Sequence, residues 1–334
     1  MNRSEPISLL SLQTPCEEQR FGVHPQTFEE YYGQAALKEK LRIYAEAAAA
    51  RREPLDHTLL FGPPGLGKTT LAHIIARTTG SAMTLCSGPT LERTGDLVAM
   101  LTSLNTCDIL FIDEIHRMPI TVEEVLYNAM EHFRVDIVIG QGAGARSVNL
   151  PIQPFTLIGA TTKSSMLSAP LRSRFGIIER LDFYTNDEIQ HIISHAAQAL
   201  NIPITPDAAL LLASSARGTP RIAKNMLRRV RDIAHHEKMA HIDLSLTTHA
   251  LQLLGIDVTG LCALDRAILN TIQTLYHGGP VGLETIAAIV GEDSATIEEV
   301  YEPFLIRKGL LERTPRGRRI PPAARSSLTQ QSLL

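Results

Sequence analysis

The feature that most constrains the fold of this chain is a glycine-rich segment between two apolar runs, FGPPGLGKTTLAH at residues 61–73. Glycine and proline interrupt regular structure, so the segment is predicted to be a loop. The run before it, residues 57–61, is short and apolar like a buried strand, and the run after it has apolar residues at helical spacing. The loop also matches the complete pattern G-x-x-x-x-G-K-[ST], which here consists of Gly62, Gly67, Lys68 and Thr69.

The residue types of this loop suit the binding of phosphate. Glycines let successive backbone N–H groups face inward around phosphate oxygens, and the N-terminus of the following helix adds its positive dipole end. Lys68 is expected to reach the β- and γ-phosphates, and the Thr69 hydroxyl to bind Mg²⁺. The alternative is a glycine-rich turn with a solvated lysine, which the match at every fixed position disfavours. The loop therefore predicts a nucleoside triphosphate site.

Length and composition exclude several classes of protein. A chain of 334 residues can form two or three domains, and its formal net charge of −3 gives no global basic field, although a local basic patch remains open. The four cysteines are scattered without a C-x-x-C pair, which favours reduced thiols over a disulfide framework or a zinc site. Because the sequence shows no signal peptide and no apolar run of membrane-spanning length, we predict a cytoplasmic protein that has no membrane partner.

A second motif, CDILFIDEIHR at residues 107–117, completes the predicted nucleotide site. Strand-like and helical segments alternate to about residue 183, which predicts a parallel α/β sheet that binds ligands at the carboxyl ends of its strands. The apolar residues 109–112 read as a central strand that ends at Asp113 and Glu114. Asp113 is expected to hold Mg²⁺ and Glu114 to polarise the attacking water, whereas the alternative is two solvated acids in a turn.

The tetrapeptide Asp-Glu-Ile-His also fits the D-E-x-H box of a superfamily of helicases. Those enzymes need two tandem nucleotide-binding domains. This sequence has one phosphate loop and one such strand, so that assignment fails.

Residues 133–163 predict a β-hairpin and a further strand of the core. Two β-rich runs flank a glycine loop at residues 140–145, and a third apolar run, residues 155–158, leads to Thr162, a polar residue that can sense the γ-phosphate. Arg172 and Arg174 follow directly. Surface arginines are usually only solvated, but Arg174 is a candidate arginine finger.

The rest of the chain predicts helices and then a winged helix. Residues 184–255 read as helices, including a basic helix that places Arg221 near its start, and residues 255–260 read as a linker. Three helical patterns and a strand–turn–strand follow. The first pattern places four apolar residues in near-perfect helical register, namely Leu264, Ile268, Ile272 and Leu275. Between residues 307 and 325, seven basic residues stand against the single acid Glu312, which favours DNA contact over a merely solvated face.

From about residue 28 to 318 the chain resembles the RuvB family, the AAA+ motors of the bacterial Holliday-junction branch-migration complex. Many AAA+ proteins share the phosphate loop, whereas the hairpin and wing strings together are specific to this family. The resemblance rests on the strings LDH (55–57), GPPGLGKT (62–69), DEIHR (113–117), DIVIGQG (136–142), GATT (159–162), FG (175–176), GTPRI (218–222), GPVGLET (279–285) and RTPRGR (313–318).

This resemblance implies an α/β AAA+ P-loop ATPase core, followed by a small all-helical lid and a C-terminal winged helix. The implied domains are a flexible segment 1–22, an ATPase domain 23–183, a lid 184–255 and a DNA-binding head 256–334. The implied contacts with ATP are Val23, His24, Gly65, Gly67, Lys68, Thr69, Thr70, Glu131, His132, Phe133, Thr162, Arg174, Tyr184 and Arg221. The implied catalytic residues are Lys68, Asp113, Glu114 and Arg174, the Mg²⁺ ligands Thr69 and Asp113, and the DNA contacts Arg313 and Arg318.

The function implied by the resemblance is ATP-driven branch migration of Holliday junctions in recombination and repair. Family members form hexameric rings on duplex DNA, dock RuvA through the hairpin at 135–150 and work with RuvC. Two alternatives stay open at this point, a sliding-clamp loader ATPase subunit and a DNA-binding protein that ATP switches without motor output. The sequence departs from the family at Val23-His24, where Leu-Arg is usual, at Lys163, where arginine is common, and at Ser294, where many members have a DNA-contacting arginine.

Overall fold

The computed structural model describes residues 24–139, 146–257 and 259–325. Val23, the segment before it and the glycine loop 140–145 of the predicted hairpin lie outside the described residues. The chain divides into two compact units. The first holds the residues up to Tyr184 together with Ser194–Ile202, and the second holds Thr185–Ile193 and the residues from Pro203 onward.

The first unit is built on a parallel sheet, as the alternating pattern predicts. Five strands pair in the order β2-β3-β6-β1-β7, every pair being parallel, and β4 and β5 form a separate antiparallel hairpin. The strands are β1 Thr58–Phe61, β2 Met83–Ser87, β3 Ile109–Asp113, β4 Arg134–Ile139, β5 Arg146–Pro151, β6 Thr156–Thr161 and β7 Ile177–Arg180.

Central strands carry apolar residues at successive positions because helices cover both faces of a parallel sheet. All six residues of β6 are buried, as are the first four of β3. The helices of this unit alternate with the strands of the parallel sheet along the chain. They are α1 Ala35–Arg51, α2 Lys68–Thr79, α3 Thr94–Ser103, α4 Ile120–His132 and α5 Ala169–Arg172.

Four helices follow, as the sequence predicts for residues 184–255. The basic helix begins at Pro220, and proline suits the first helical position because its missing N–H would have no partner there. These helices are α6 Asn186–Ala199, α7 Pro206–Ser215, α8 Pro220–His236 and α9 Leu244–Leu253. No helix of the described residues has the length and apolar character that crossing a membrane requires.

The last part of the chain is a winged helix with its own apolar core. Its elements are α10 Ala263–Asn270, α11 Leu283–Val290, α12 Ser294–Thr296, α13 Glu302–Arg307 and the two-stranded wing β8 Glu312–Thr314 and β9 Gly317–Arg319. Ile268, Leu269, Ile272 and Phe304 are among the residues of the core.

One detail of the predicted first pattern is wrong. Residues Thr271–Leu275 form a π-helical turn at the end of α10. A wider turn rotates the residues after it by about 100° relative to a continuous α-helix. Ile268 in α10 and Ile272 at the start of the π-turn are buried, whereas Leu275, the last residue of that turn, is 60% exposed.

Candidate functional site

The glycine-rich loop joins β1 to α2 and takes a backbone path that needs glycine. Gly67 has φ 103° and immediately precedes the first residue of α2. A Cβ atom on Gly67 would lie 2.9 Å from the Tyr31 hydroxyl, and one on Gly62 would lie 2.4 Å from the carbonyl oxygen of Leu181. Side chains at these two positions would therefore strain or displace the loop.

Lys68 is a buried cation within this loop. Its Nζ donates to the carbonyl oxygens of Gly62 and Pro63 at 2.8 Å and 3.0 Å. These bonds hold the ammonium group against the loop itself. Gly65 has φ 78°, Thr69 is exposed on the first turn of α2 and Thr70 is half-buried.

Two buried tyrosines contact the backbone of the phosphate loop. The hydroxyl groups of Tyr31 and Tyr184 lie 2.6 Å apart, and both are within hydrogen-bonding distance of the carbonyl oxygen of Leu66, at 3.3 Å and 3.0 Å. The structure thus places Tyr184, a predicted nucleotide contact, against the backbone of the phosphate loop. Tyr31 was missed by the sequence reasoning, because no motif marks it.

The acidic pair lies at the carboxyl end of β3, at the same edge of the sheet as the loop. Because β1, β3 and β6 are neighbours and parallel, their carboxyl ends come together. The Gly62 N–H donates to the carbonyl oxygen of Thr161 at 3.1 Å, which joins the loop to the end of β6. Asp113 Oδ1 accepts from the Glu114 N–H at 3.0 Å, and Glu114 has a left-handed backbone with φ 47°.

Glu114 is held by two neighbours. Thr162 Oγ1 donates to Glu114 Oε2 at 3.3 Å, and Nδ1 of His116 lies 3.2 Å from the same oxygen. The same Nδ1 lies 2.8 Å from Thr161 Oγ1, which also accepts from the Lys163 N–H. A proton on Nδ1 suits both oxygens, whereas a lone pair there would face the carboxylate. The role of His116 was missed by the sequence reasoning, because it depends on β6.

Arg174 contacts residues outside the phosphate loop and the acidic pair. Its Nη2 is 3.1 Å from Glu131 Oε2, its Nη1 donates to the Pro170 carbonyl oxygen at 2.7 Å, and its guanidinium carbon is 4.7 Å from the centre of the Tyr127 ring. Within the described part of the chain, none of its hydrogen bonds or ion pairs goes to the phosphate loop. The structure thus brings Arg174 together with Glu131 rather than with Lys68.

The other residues predicted to contact nucleotide have different local environments. His132 is exposed beside Glu131, while Phe133 has φ 48° and stacks edge-on against Phe155 with the ring centres 6.2 Å apart. The His24 carbonyl oxygen accepts from the side chain of Gln26 at 3.0 Å. Arg221 is exposed in the first turn of α8, in the second unit.

The wing is less basic than its sequence indicates. Arg313 Nε lies 2.6 Å from Glu302 Oε1, and Arg318 Nη2 lies 3.1 Å from Glu302 Oε2. Glu298 also pairs with both arginines, at 3.4 Å and 3.3 Å, and the pKa of Arg313 is raised chiefly by its hydrogen bond to Glu302. Glu312 is the single acid between residues 307 and 325, but α13 and the π-helical turn before it bring two further acids, Glu302 and Glu298, to the folded wing.

The residues at the sheet edge fit a magnesium–nucleotide complex. The buried Lys68 cation and the N-terminus of α2 suit a polyphosphate, and a threonine hydroxyl with an aspartate carboxylate offers the oxygen ligands that Mg²⁺ prefers.

Comparison with known proteins decides the family. Three family models match consecutive parts of the chain, the Holliday junction DNA helicase RuvB P-loop domain at 23–181, the RuvB AAA lid domain at 184–257 and the RuvB C-terminal winged helix domain at 258–329. The chain belongs to the RuvB family. The predicted RuvB fold and the predicted activity, an ATP-hydrolysing motor of Holliday junction branch migration, are thereby confirmed, and a clamp loader is excluded by the winged helix.

Solved RuvB structures agree with this assignment. The chain is similar to the Thermotoga maritima RuvB Holliday junction branch migration motor with 48% sequence identity and a TM-score of 0.82, over 92% of this chain and 98% of that chain. A structure of a mutant of the same RuvB matches with the same identity and coverage and a TM-score of 0.84.

Proposed function

We propose that this RuvB-family ATPase uses Mg²⁺ and ATP to move duplex DNA through a Holliday junction, as a cytoplasmic hexameric ring that works with RuvA and RuvC. The observation that supports the proposal is that Lys68, Asp113, Glu114 and Thr162 all lie at the carboxyl edge of one parallel sheet. The implied domain boundaries, 1–22, 23–183, 184–255 and 256–334, belong to this proposal.

Within one subunit, the residues divide into binding and hydrolytic groups. Gly65, Gly67 and Lys68 bind the phosphates, Thr69 and Asp113 hold Mg²⁺, and Thr70, Tyr184 and Arg221 complete the nucleotide site with Val23 and His24. The metal ion, when bound, offsets charge on the phosphate oxygens. Glu114 orients a water molecule, while Thr162 and His116 hold one side of its carboxylate.

The next subunit contributes the second half of the chemistry. Arg174 acts in trans as the arginine finger, and Glu131, His132 and Phe133 belong to the same face. The support is that Arg174 pairs with Glu131 and not with the residues of its own phosphate loop. A permanently charged guanidinium there offsets charge on the transferring phosphoryl group.

DNA and RuvA bind elsewhere on the chain. Arg313 and Arg318 of the wing contact DNA phosphates, and the hairpin at 135–150 docks RuvA. Val148 supports the proposed contact with RuvA because it is 43% exposed on β5, and an exposed apolar strand residue is a candidate protein contact. Val148→Asp should weaken RuvA binding and leave ATPase activity without RuvA unchanged, with Leu210→Asp, at an exposed apolar residue of α7, as the control for an added charge.

The decisive experiment is branch migration of a four-way DNA junction, measured with and without RuvA alongside ATP hydrolysis. We expect DNA-dependent hydrolysis and strand displacement that RuvA stimulates, both lost in Glu114→Gln. Nucleotide-dependent DNA binding without turnover would instead favour the ATP-switched binding protein.

A further inference from the structure

The arginine predicted to act as the finger rests on the face of an aromatic ring. The Tyr127 ring lies under the Arg174 guanidinium, with 4.7 Å between the guanidinium carbon and the ring centre. This distance is within the range of an attractive cation–π contact. The sequence motifs assign no function to Tyr127, and none of the nucleotide-site residues described above requires it.

The ring is itself locked in place. Its hydroxyl donates to Glu123 Oε1 at 2.5 Å and lies 2.9 Å from Ser168 Oγ. Glu123 is buried, and Ser168, which also bonds to Glu123, caps the first turn of α5 by accepting the Leu171 N–H. Tyr127 on α4 is thus fixed to the short helix that leads to Arg174.

The two contacts of the guanidinium differ in what they do when the arginine meets a phosphate. Glu131 is an anion and competes with phosphate for the guanidinium charge. The tyrosine ring is neutral, so it can stay under the guanidinium while the edge N–H groups turn to another acceptor. A planar cation on a fixed ring also loses less rotamer freedom on binding than a freely rotating one.

We propose that Tyr127 is the positioning residue for Arg174, a platform that holds the guanidinium ready for the nucleotide of the neighbouring subunit. The proposal rests on the trans role of Arg174 proposed above. Tyr127 acts through Arg174 and does not itself contact nucleotide.

Rings assembled from two different variants test this proposal, because the change at Tyr127 and the ATPase site that is measured then lie in different subunits. The receiving subunit carries Arg174→Ala and keeps an intact site, and the providing subunit carries Lys68→Ala and keeps its finger. The mixture should regain ATPase activity that neither variant has alone. Tyr127→Leu is then added to the providing subunit only, so that any change in activity comes from the finger side of the interface.

We expect Tyr127→Leu to lower the kcat of the mixture by about 3- to 30-fold, the span of cation–π contacts, with little change in the KM for ATP. Tyr127→Phe keeps the ring face and loses only the hydroxyl that fixes it, so its activity should lie closer to that of the parent mixture than to that of Tyr127→Leu. Tyr44→Leu, at an exposed tyrosine of α1, is the control for loss of a tyrosine as such.

Melting temperature and co-assembly are measured first, and Tyr127→Met replaces Tyr127→Leu if the leucine variant folds poorly. Equal activity with Tyr127 and Tyr127→Leu overturns the platform and leaves the trans finger standing. An equal loss with Tyr127→Phe shows that the ring face is not the cause and also overturns it. If the parent mixture itself recovers no activity, the trans finger fails and the platform fails with it.

Discussion

At the scale of single residues, we propose separate tasks for Lys68 and Glu114 at one sheet edge. Lys68 is buried within the phosphate loop, whereas Glu114 lies on the far side of β6 from that loop, at the end of β3. A cation that grips phosphate contributes to binding. A carboxylate that orients water contributes to turnover alone.

Lys68→Ala is therefore expected to abolish nucleotide binding, while Glu114→Gln keeps binding and loses at least about 100-fold in kcat, the lower range for a positioned general base. Binding is measured with a fluorescent nucleotide and kcat by phosphate release. Near-normal turnover of the glutamine variant would remove Glu114 from the catalytic role.

His116 is expected to matter for turnover through Glu114. His116→Phe keeps an aromatic ring at this position, where the side chain is 5% exposed, and removes the Nδ1 that lies 3.2 Å from Glu114 Oε2. Losing a hydrogen bond to a charged group costs about 1.5 kcal/mol, so kcat should fall about tenfold while nucleotide affinity stays the same. His249→Phe, at an exposed position on α9, is the control. A matched loss of affinity would mean that the ring supports the fold of the site instead.

At the scale of elements, the wing illustrates how a helix changes the charge of a hairpin. Glu302 is fully buried at the start of α13 and is flanked by Arg313 and Arg318. The two arginines therefore neutralise a buried carboxylate, which would destabilise the fold if it had no cationic partner. The DNA contacts proposed for Arg313 and Arg318 and their ion pairs with Glu302 can be separated by experiment.

Arg318→Ala should destabilise the winged helix by up to about 3 kcal/mol, because the buried Glu302 loses one of its partners. Adding Glu302→Gln should restore most of the melting temperature but not the DNA affinity. If the double variant also regains DNA affinity, Arg318 acts on DNA only through the fold of the wing.

Arg316 is the matched comparison at the tip of the same hairpin. It is exposed, and no carboxylate of the described residues pairs with its guanidinium. Arg316→Ala should leave the melting temperature unchanged and reduce the slope of log K for DNA against log salt by about one. An unchanged slope would mean that this arginine is simply solvated.

At the scale of the whole molecule, we expect the stability of the first unit to depend on pH through His57, a half-buried histidine that joins the sheet to α4. His57 Nδ1 accepts from the Leu157 N–H at 2.9 Å, and its Nε2 lies 3.2 Å from the Met130 carbonyl oxygen. Burial is the main cause of a lowered pKa for His57, and the same cause lowers the pKa of His73. A proton on Nδ1 would face the Leu157 N–H, so that two donors would point at each other and this hydrogen bond would be lost.

The pKa of His57 in the folded protein lies below the ordinary value of about 6.5. The stability that neutral His57 contributes is therefore fully present above about pH 6.5 and is lost as the pH falls toward the folded pKa. Each such histidine can contribute a slope of up to about 1.4 kcal/mol per pH unit in that window. Melting temperatures between pH 5 and 8 should show the decline, and His57→Gln should flatten it. An identical pH profile for both proteins would contradict the prediction.

The sequence by itself determined the elements whose causes are local. Turn chemistry and apolar periodicity place the phosphate loop between β1 and α2, put Asp113 and Glu114 after a buried strand, and begin the basic helix at Pro220. Family strings extend this to the lid and the winged helix. These features are readable because each depends on residues a few positions apart.

Tertiary structure alone decided which distant side chains meet. His116 contacts Thr161 across 45 positions of sequence, Tyr127 contacts Ser168 across 41, and Arg318 meets Glu302 from another element. The exposure of Leu275 likewise depends on a π-turn within the packed winged helix. Contacts of this kind depend on how strands and helices are brought together, and no local pattern of residue types encodes that arrangement.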